Sequence, residues 1–263
     1  LELSHAQPLV SVVTPTFNQA RFLERTILSV LDQDYPRIEY IIVDGGSTDG
    51  SLDILKKHAS RLAWWVSEPD AGQTDALNKG FAHAQGDILA WLNSDDTWLP
   101  AATSAAVRAF QQDHGSGLIY GAANYIDADD RILGRFPSAQ TNYQLLRQGY
   151  VHIPQQAAFF RAHLWRQVGP LDPSMYFAMD YDLWLRLARH APVHYVPEIW
   201  ANFRLHDQGK TIASDERCWP EMLRIHYRDG GSALSAIVVK YYIRKAVGPF
   251  LRWKRRRLLA RGS

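Results

Sequence analysis

The chain has 263 residues and a mass of 29.9 kDa, the size of one large domain or of one domain with a small appendage. With 46% hydrophobic and 21% charged residues it is neither a wholly disordered nor a fibrous chain. The formal net charge of +2 singles out no acidic or basic partner, and one cysteine, Cys218, excludes an intrachain disulfide and a cysteine-based zinc site and fits a reducing compartment.

Taken in chain order, residues 9–14 are an apolar, β-branched run that reads as a buried strand ended by Pro15. Phe22, Ile27, Val30 and Leu31 then recur at helical spacing and predict a helix over 19–33. A second buried strand is expected at 38–43. It stops at Asp44-Gly45-Gly46-Ser47, a turn leading into a helix through Leu52 and Leu55. A short strand at 63–67, a helix at 72–84 and a strand at 87–92 follow, and the last runs into Asn93-Ser94-Asp95-Asp96. Strand and helix thus alternate four times in 96 residues, which predicts an α/β fold with a mostly parallel sheet flanked by helices. Ligands of such sheets bind beyond the carboxyl ends of the strands, and the polar clusters 14–18, 44–49, 68–75 and 93–96 all lie there.

The second half is less regular. Short strands are expected at 118–120, 125–126, 132–136, 195–196 and 199–204, and helices at 181–189 and 217–227. There is no internal repeat and no linker before Asp229-Gly230-Gly231, so the expected organisation is an N-terminal extension (1–8), one domain (9–231) and a tail (232–263). Within the domain, 9–96 forms one half and 97–231 the other.

Two familiar phosphate-binding devices are missing. The first strand ends Thr14-Pro15-Thr16-Phe17-Asn18, without the glycines of a dinucleotide-binding turn, and no P-loop pattern occurs. The carboxylates at Asp95-Asp96 point instead to a divalent metal with hard oxygen ligands, Mg²⁺ or Mn²⁺.

The runs 10–18 (VSVVTPTFN), 41–50 (IIVDGGSTDG), Gly72 through Asn78-Lys79-Gly80, 92–96 (LNSDD), 179–186 (MDYDLWLR) and 203–206 (FRLH) together resemble the family-two glycosyltransferases of the GT-A, Rossmann-like fold. The resemblance covers about residues 9–210. It implies an inverting, nucleotide-sugar-dependent enzyme of bacterial surface-polysaccharide assembly, using a UDP-sugar, a divalent metal and a glycan or lipid-linked acceptor. By the same resemblance Asp44 accepts a hydrogen bond from the base, and Pro15 and Phe17 match the first nucleotide-contacting loop. Gln73, Asp75 and Asn78 match the donor-side third segment. Asn93 stands where the family has the first aspartate of Asp-x-Asp and can still bond a ribose hydroxyl, with Ser94 beside it. Asp95 takes the metal position, Asp96 supports it, and His206 matches a histidine that reaches the metal or diphosphate. Asp180 is the expected general base, preceded by Met179 where the family usually has Glu. Asp182 is the competing acid, expected instead to pair with Arg186 at i,i+4. His152, Gln155 and Gln156 are candidate acceptor-side groups. Trp91, Trp98, Trp165, Trp184 and Trp200 are read mostly as core. The rival readings are a catalytically weak nucleotide-sugar-binding protein and a sugar-1-phosphate nucleotidyltransferase.

The tail carries the hidden charge asymmetry. Lys240, Arg244, Lys245, Arg252, Lys254, Arg255, Arg256, Arg257 and Arg261 give it +9 with no acid after position 232, which leaves the body at −7. Leu234, Ile237, Val238 and Tyr241 share a helical face, Pro249 should break that helix, and Trp253 and Leu258-Leu259 follow. A basic amphipathic segment of this kind predicts docking on an anionic membrane surface, with a solvated helix or a partner-docking arm as the alternatives and no nucleic acid. The expected location is cytoplasmic, peripheral at the inner face of the membrane. The N-terminus shows no basic region followed by an apolar run, and no stretch reaches the ~18 apolar residues of a spanning helix.

Overall fold

The computed structural model describes residues 7–207, 209 and 218–246. The first half follows the expected alternation: β1 (Val10–Thr16), α1 (Ala20–Leu31), β2 (Ile38–Asp44), α2 (Ser51–His58), β3 (Trp64–Ser67), α3 (Gln73–His83) and β4 (Ile88–Trp91). These four strands are parallel in the order β3-β2-β1-β4. Pro15 does not end β1. Pairing of β1 with β4 stops at Val13↔Trp91 while pairing with β2 continues to Thr16↔Asp44. The missing N–H of Pro15 faces the side where β4 has already left, so no ladder bond is lost.

The second half adds β5 (Thr97–Trp98), α4 (Ala102–Gln112), β6 (Leu118–Ile126), β7 (Ile132–Arg135), α5 (Tyr143–Arg147), β8 (Ala158–Arg161), α6 (Ala162–Val168), α7 (Met179–His190), β9 (Val193–Arg204) and α8 (Cys218–Arg228). The sheet continues from β4 through β8, β6 and β9 to β5, with β7 on β6. The pairs β4–β8, β8–β6, β6–β7 and β9–β5 are antiparallel, and β6–β9 is parallel. This is the expected α/β fold with a central sheet flanked by helices, parallel through its first four strands as the pattern predicted and mixed beyond them. Two pairs of expected strands prove to be single long strands, β6 and β9, while β8, α4, α5 and α6 were not foreseen.

Apolar side chains fill both faces. Val10, Val12, Leu23, Ile27, Tyr40, Ile42, Phe110 and Trp200 pack on one side. Val13, Ile41, Leu77, Trp91, Phe160 and Trp184 pack on the other, where the Trp91 and Trp184 rings stack 5.4 Å apart. The five tryptophans read as core are all buried. The pairing of β5 with β9, Thr97 opposite Asn202, brings the 93–96 loop against residues 203–206, more than a hundred positions away.

Residues 236–246 form a helix lying on the body. Ile237 and Val238 are buried, and Ile237 sits so close to Gly149 that a Cβ there would stand 2.7 Å from it. Lys240 lies over the Tyr150 ring at 4.9 Å and Arg244 over Trp219 at 5.9 Å. The apolar face named from sequence therefore turns inward, except for Leu234, which is exposed. Val239, Tyr242 and Ile243 form the outward face. The Pro249 break and the cluster 252–259 lie outside the described residues. No described helix is long and apolar enough to cross a membrane.

Candidate active site

A cavity of about 890 Å³ opens at the carboxyl ends of β1, β2 and β4, within the size range of small-molecule sites. Of the candidate residues, Pro15, Phe17, Gln73, Asn93, Ser94, Asp95, Gln155, Gln156, Asp180 and His206 line it. Six stretches distant in sequence thus converge on one cavity.

The metal candidates are divided between wall and interior. Asp95 faces the cavity, and its Oδ2 lies 3.0 Å from His206 Nε2. Asp96 turns inward and is fully buried. Burial, and then the charge of Asp95, pushes the Asp96 carboxyl well above the usual carboxylate range, against the N–H of Arg204 (2.8 Å to Oδ1) and the Gln156 and Asn93 amides. Asp96 is therefore a support beneath the wall and not a direct ligand. Arg204 is the organiser of this corner. Its Nε donates to the Asp95 carbonyl at 2.7 Å, its Nη1 donates to the Asp127 carbonyl at 2.9 Å, and its guanidinium lies 4.8 Å from the Phe22 ring centroid. Among the described residues no three His, Cys, Asp or Glu side chains cluster closely enough to hold a metal by themselves. Asp95 and His206 supply one hard oxygen and one imidazole donor, a set that suits Mn²⁺ or Mg²⁺ when phosphate oxygens and water complete the shell.

A line of amides crosses the cavity floor. Gln73 donates to Asn93 Oδ1 (2.7 Å), Asn93 donates to Gln155 Oε1 (3.0 Å), and Gln155 donates to the Trp91 carbonyl (2.8 Å). Asn93 thus uses both ends of its amide, which a carboxylate could not do. Gln155 and Gln156 are buried, and their side chains bond to this floor and to Asp96 beneath it rather than to the open acceptor side.

Besides Asp96, four candidates are not on the wall. Asp44 is fully buried. Its carboxylate accepts from Ser47 N (3.0 Å), Ser47 Oγ (2.5 Å) and Ser67 Oγ (2.6 Å), and Ser47 Oγ in turn receives the Asn18 N–H at 2.7 Å. Asp44 ties the 16–18 and 44–51 loops together and does not line the cavity. Asp75 caps its own helix, accepting from Ala71 N (3.2 Å) and pairing with Lys79 (3.3 Å). Asn78 makes two bonds to the backbone of Leu171, both 2.9 Å. His152 Nδ1 lies 3.1 Å from the Pro137 carbonyl.

Asp180 sits in the first turn of α7, on the cavity wall, with its Oδ1 accepting the Tyr181 N–H at 2.7 Å. Asp182 is buried and paired with Arg186 at 2.8 Å, as its spacing predicted, and also with Arg228 at 2.6 Å. Met179 packs in the core and its sulfur accepts from Thr74 Oγ1 at 2.9 Å. What holds Asp180 in place was not read from sequence. Glu221 of α8 accepts the N–H groups of Tyr176 (2.9 Å), Phe177 (2.8 Å) and Ala178 (2.8 Å), the turn that leads into α7. A carboxylate from a separate helix thus serves the donors that begin α7. Glu221→Gln retains one acceptor oxygen but loses the charge, and removing a charge-assisted set of this kind costs about 1.5–3 kcal/mol. The expected result is a lower kcat with little change in donor KM, checked by steady-state kinetics beside a melting curve that registers the stability loss.

The whole arrangement has counterparts among known proteins. The family model described as Glycosyl transferase family 2 matches residues 11–167. Two proteins of Mycobacterium tuberculosis, from strains CDC 1551 / Oshkosh and H37Rv, each named an uncharacterized glycosyltransferase, are 36% identical over 184 residues, 69% of this chain and 69% of theirs. Among solved structures, S. aureus TarS 1–349 in complex with UDP-GlcNAc superposes with a TM-score of 0.67 at 17% identity, over 89% of this chain and 71% of that one. The mannosyltransferase PcManGT from Pyrobaculum calidifontis, in complex with GDP-Man and Mn²⁺, superposes with a TM-score of 0.65 at 21% identity, over 86% and 65%. The superpositions agree on the fold, and the sequence matches settle the relationship: the chain belongs to glycosyltransferase family 2.

Proposed function

We propose that this glycosyltransferase moves a sugar from a UDP-sugar to a hydroxyl of a glycan or lipid-linked acceptor, with inversion at the anomeric carbon and with Mn²⁺ or Mg²⁺ as cofactor. The observation that carries the reading is the shared wall: Asp95 with His206 at one point and Asp180 at another, around one cavity. A divalent cation held by Asp95 and His206 would neutralise charge on the departing diphosphate. Asp180 accepts the proton of the acceptor hydroxyl as that oxygen attacks, so one carboxylate on the acceptor side suffices for a single in-line displacement. The amide line Gln73–Asn93–Gln155 holds the floor between the two and orients Asn93 toward the donor sugar or ribose. Tyr176 and Phe177, which also line the cavity, give the acceptor side its apolar walls. A panel of UDP- and GDP-sugars incubated with Mn²⁺ and simple glycosides, followed by proton NMR of the product, tests this. Release of UDP with inverted anomeric configuration is expected. Retained configuration, or turnover unaffected by a chelator, contradicts the mechanism.

We further propose that the tail holds the enzyme on an anionic membrane surface at the cytoplasmic face. The support is the outward face of helix 236–246, where exposed Val239, Tyr242 and Ile243 stand beside Lys240, Arg244 and Lys245, with six further basic residues following in sequence. Each basic residue near such a surface is worth about 1 kcal/mol. Sedimentation with vesicles of phosphatidylcholine containing phosphatidylserine is expected to deplete the protein, and to fail for Val239→Ser/Tyr242→Ser/Ile243→Ser and in high salt. Equal depletion by pure phosphatidylcholine, or by the triple variant, refutes the docking.

A further inference from the structure

The base-reading carboxylate needs a new assignment, because Asp44 is buried and its oxygens are taken by Ser47 and Ser67. The sheet order shows where to look. Asp95 and His206 lie beyond β4, and Asp180, the proposed base, opens α7 on the same cavity. A nucleoside extending from a diphosphate at Asp95 therefore runs the other way, across the ends of β1 and β2 toward β3, about 10 Å for two strand spacings. That end of the cavity is walled by Pro15, Phe17, Gly45, Pro69 and Asp70. The Phe17 ring is 59% exposed, so it has a free face for a planar base.

Asp70 is the one ionisable side chain on this stretch of wall among the described residues. Its Oδ1 accepts the Gly72 N–H at 2.8 Å, which fixes the carboxylate, while Oδ2 reaches over Gly45. A Cβ on Gly45 would stand 2.8 Å from that Oδ2 and 3.1 Å from the carboxyl carbon. Gly45 does not have the positive φ of Gly46, so its backbone would accept a side chain and only the space forbids one. The carboxylate of Asp70 thus occupies the volume that a side chain at the end of β2 would fill.

We infer that Asp70, seated over Gly45, is the specificity residue that reads the donor base, accepting a ring N–H as uracil presents it. A carboxylate is an acceptor only, so it selects a base with a ring N–H and disfavours cytosine and adenine, whose ring nitrogens at the pairing edge are acceptors. The assignment rests on the nucleotide-sugar reading above.

Calorimetric titration of UDP, CDP and N3-methyl-UDP in the presence of Mn²⁺ tests it. Wild-type protein is expected to bind UDP about 10- to 100-fold more tightly than CDP or N3-methyl-UDP, the range of one charge-assisted hydrogen bond. Asp70→Asn and Asp70→Ala are expected to lose that preference, and Gly45→Ala to weaken UDP through displacement of the carboxylate. Asp70→Asn keeps the bond to Gly72, and an unchanged melting temperature separates recognition from folding. UDP bound equally tightly by wild type, Asp70→Asn and Asp70→Ala overturns the inference alone, as does wild-type affinity for CDP equal to that for UDP. A wild-type protein that binds no nucleoside diphosphate overturns the donor reading and the inference with it.

Discussion

Asp180→Asn is expected to lower kcat about 100- to 10,000-fold, the usual contribution of a positioned general base, and to leave the affinity for UDP unchanged. The substitution retains shape and the oxygen that accepts the Tyr181 N–H, but removes the ability to take a proton. The neighbouring acid provides the contrast. Asp182 is buried and lies between Arg186 and Arg228, so it is a tie between α7 and α8. Asp182→Asn removes the buried carboxylate that Arg186 and Arg228 share, while Arg228 keeps Asp229 and Arg186 keeps the Val168 and Gly169 carbonyls, and losing a charge-assisted hydrogen bond of this kind costs about 1.5–3 kcal/mol. Kinetics and melting curves on both variants separate the roles. Asp180→Asn should be folded and inactive, whereas Asp182→Asn should be destabilised first. Equal kcat for wild type and Asp180→Asn would remove Asp180 from the chemistry.

The second large effect is expected at Asp95. Asp95→Ala removes the carboxylate that faces the cavity, while the backbone carbonyl still receives the Arg204 Nε, so the 93–96 loop keeps its main anchor. Loss of one electrostatic stabiliser of a developing negative charge lowers kcat about 100- to 1,000-fold, and activation by added Mn²⁺ should disappear. His206→Ala removes the partner donor and should shift the Mn²⁺ concentration needed for activity upward, with a smaller loss in kcat. Turnover against Mn²⁺ concentration checks both. A variant at Asp95 that responds to Mn²⁺ as the wild type does would contradict the placement of the cation.

The first half of the fold was legible because β1, β4 and most of β2 are buried on both faces and each helix shows one apolar stripe. The second half hid its strands for physical reasons. β6 contains Gly121-Ala122-Ala123, which carries no strand signal, yet a Cβ on Gly121 would stand 2.4 Å from Trp200, so packing demands the glycine. β9 runs through Pro197, and its pairing with β6 shifts register between Tyr120 and Ala122 and again between Ala122 and Ala123. In the site, Asp95, His206 and Asp180 were singled out by resemblance to family motifs, and all three line the cavity. Asp70, Arg204 and Glu221 gained no role from sequence, because each acts through a partner brought near only by the fold. Glu221 meets residues 43–45 positions away, and Arg204 meets Asp95 at a separation of 109. Asp44, Asp75 and Asn78 show the converse. Their types suit a binding site, but they are equally good loop and helix fasteners, and that is how the structure uses them.

Calorimetric titration of UDP into the wild-type protein, with Mn²⁺ present and with Mn²⁺ chelated, tests the central claim most directly. One site per chain, tight with Mn²⁺ and weakened at least tenfold without it (about 1.4 kcal/mol), is the expected result. Absence of binding in both conditions, or binding of equal strength in both, would contradict a metal-assisted nucleotide-sugar site at Asp95 and His206.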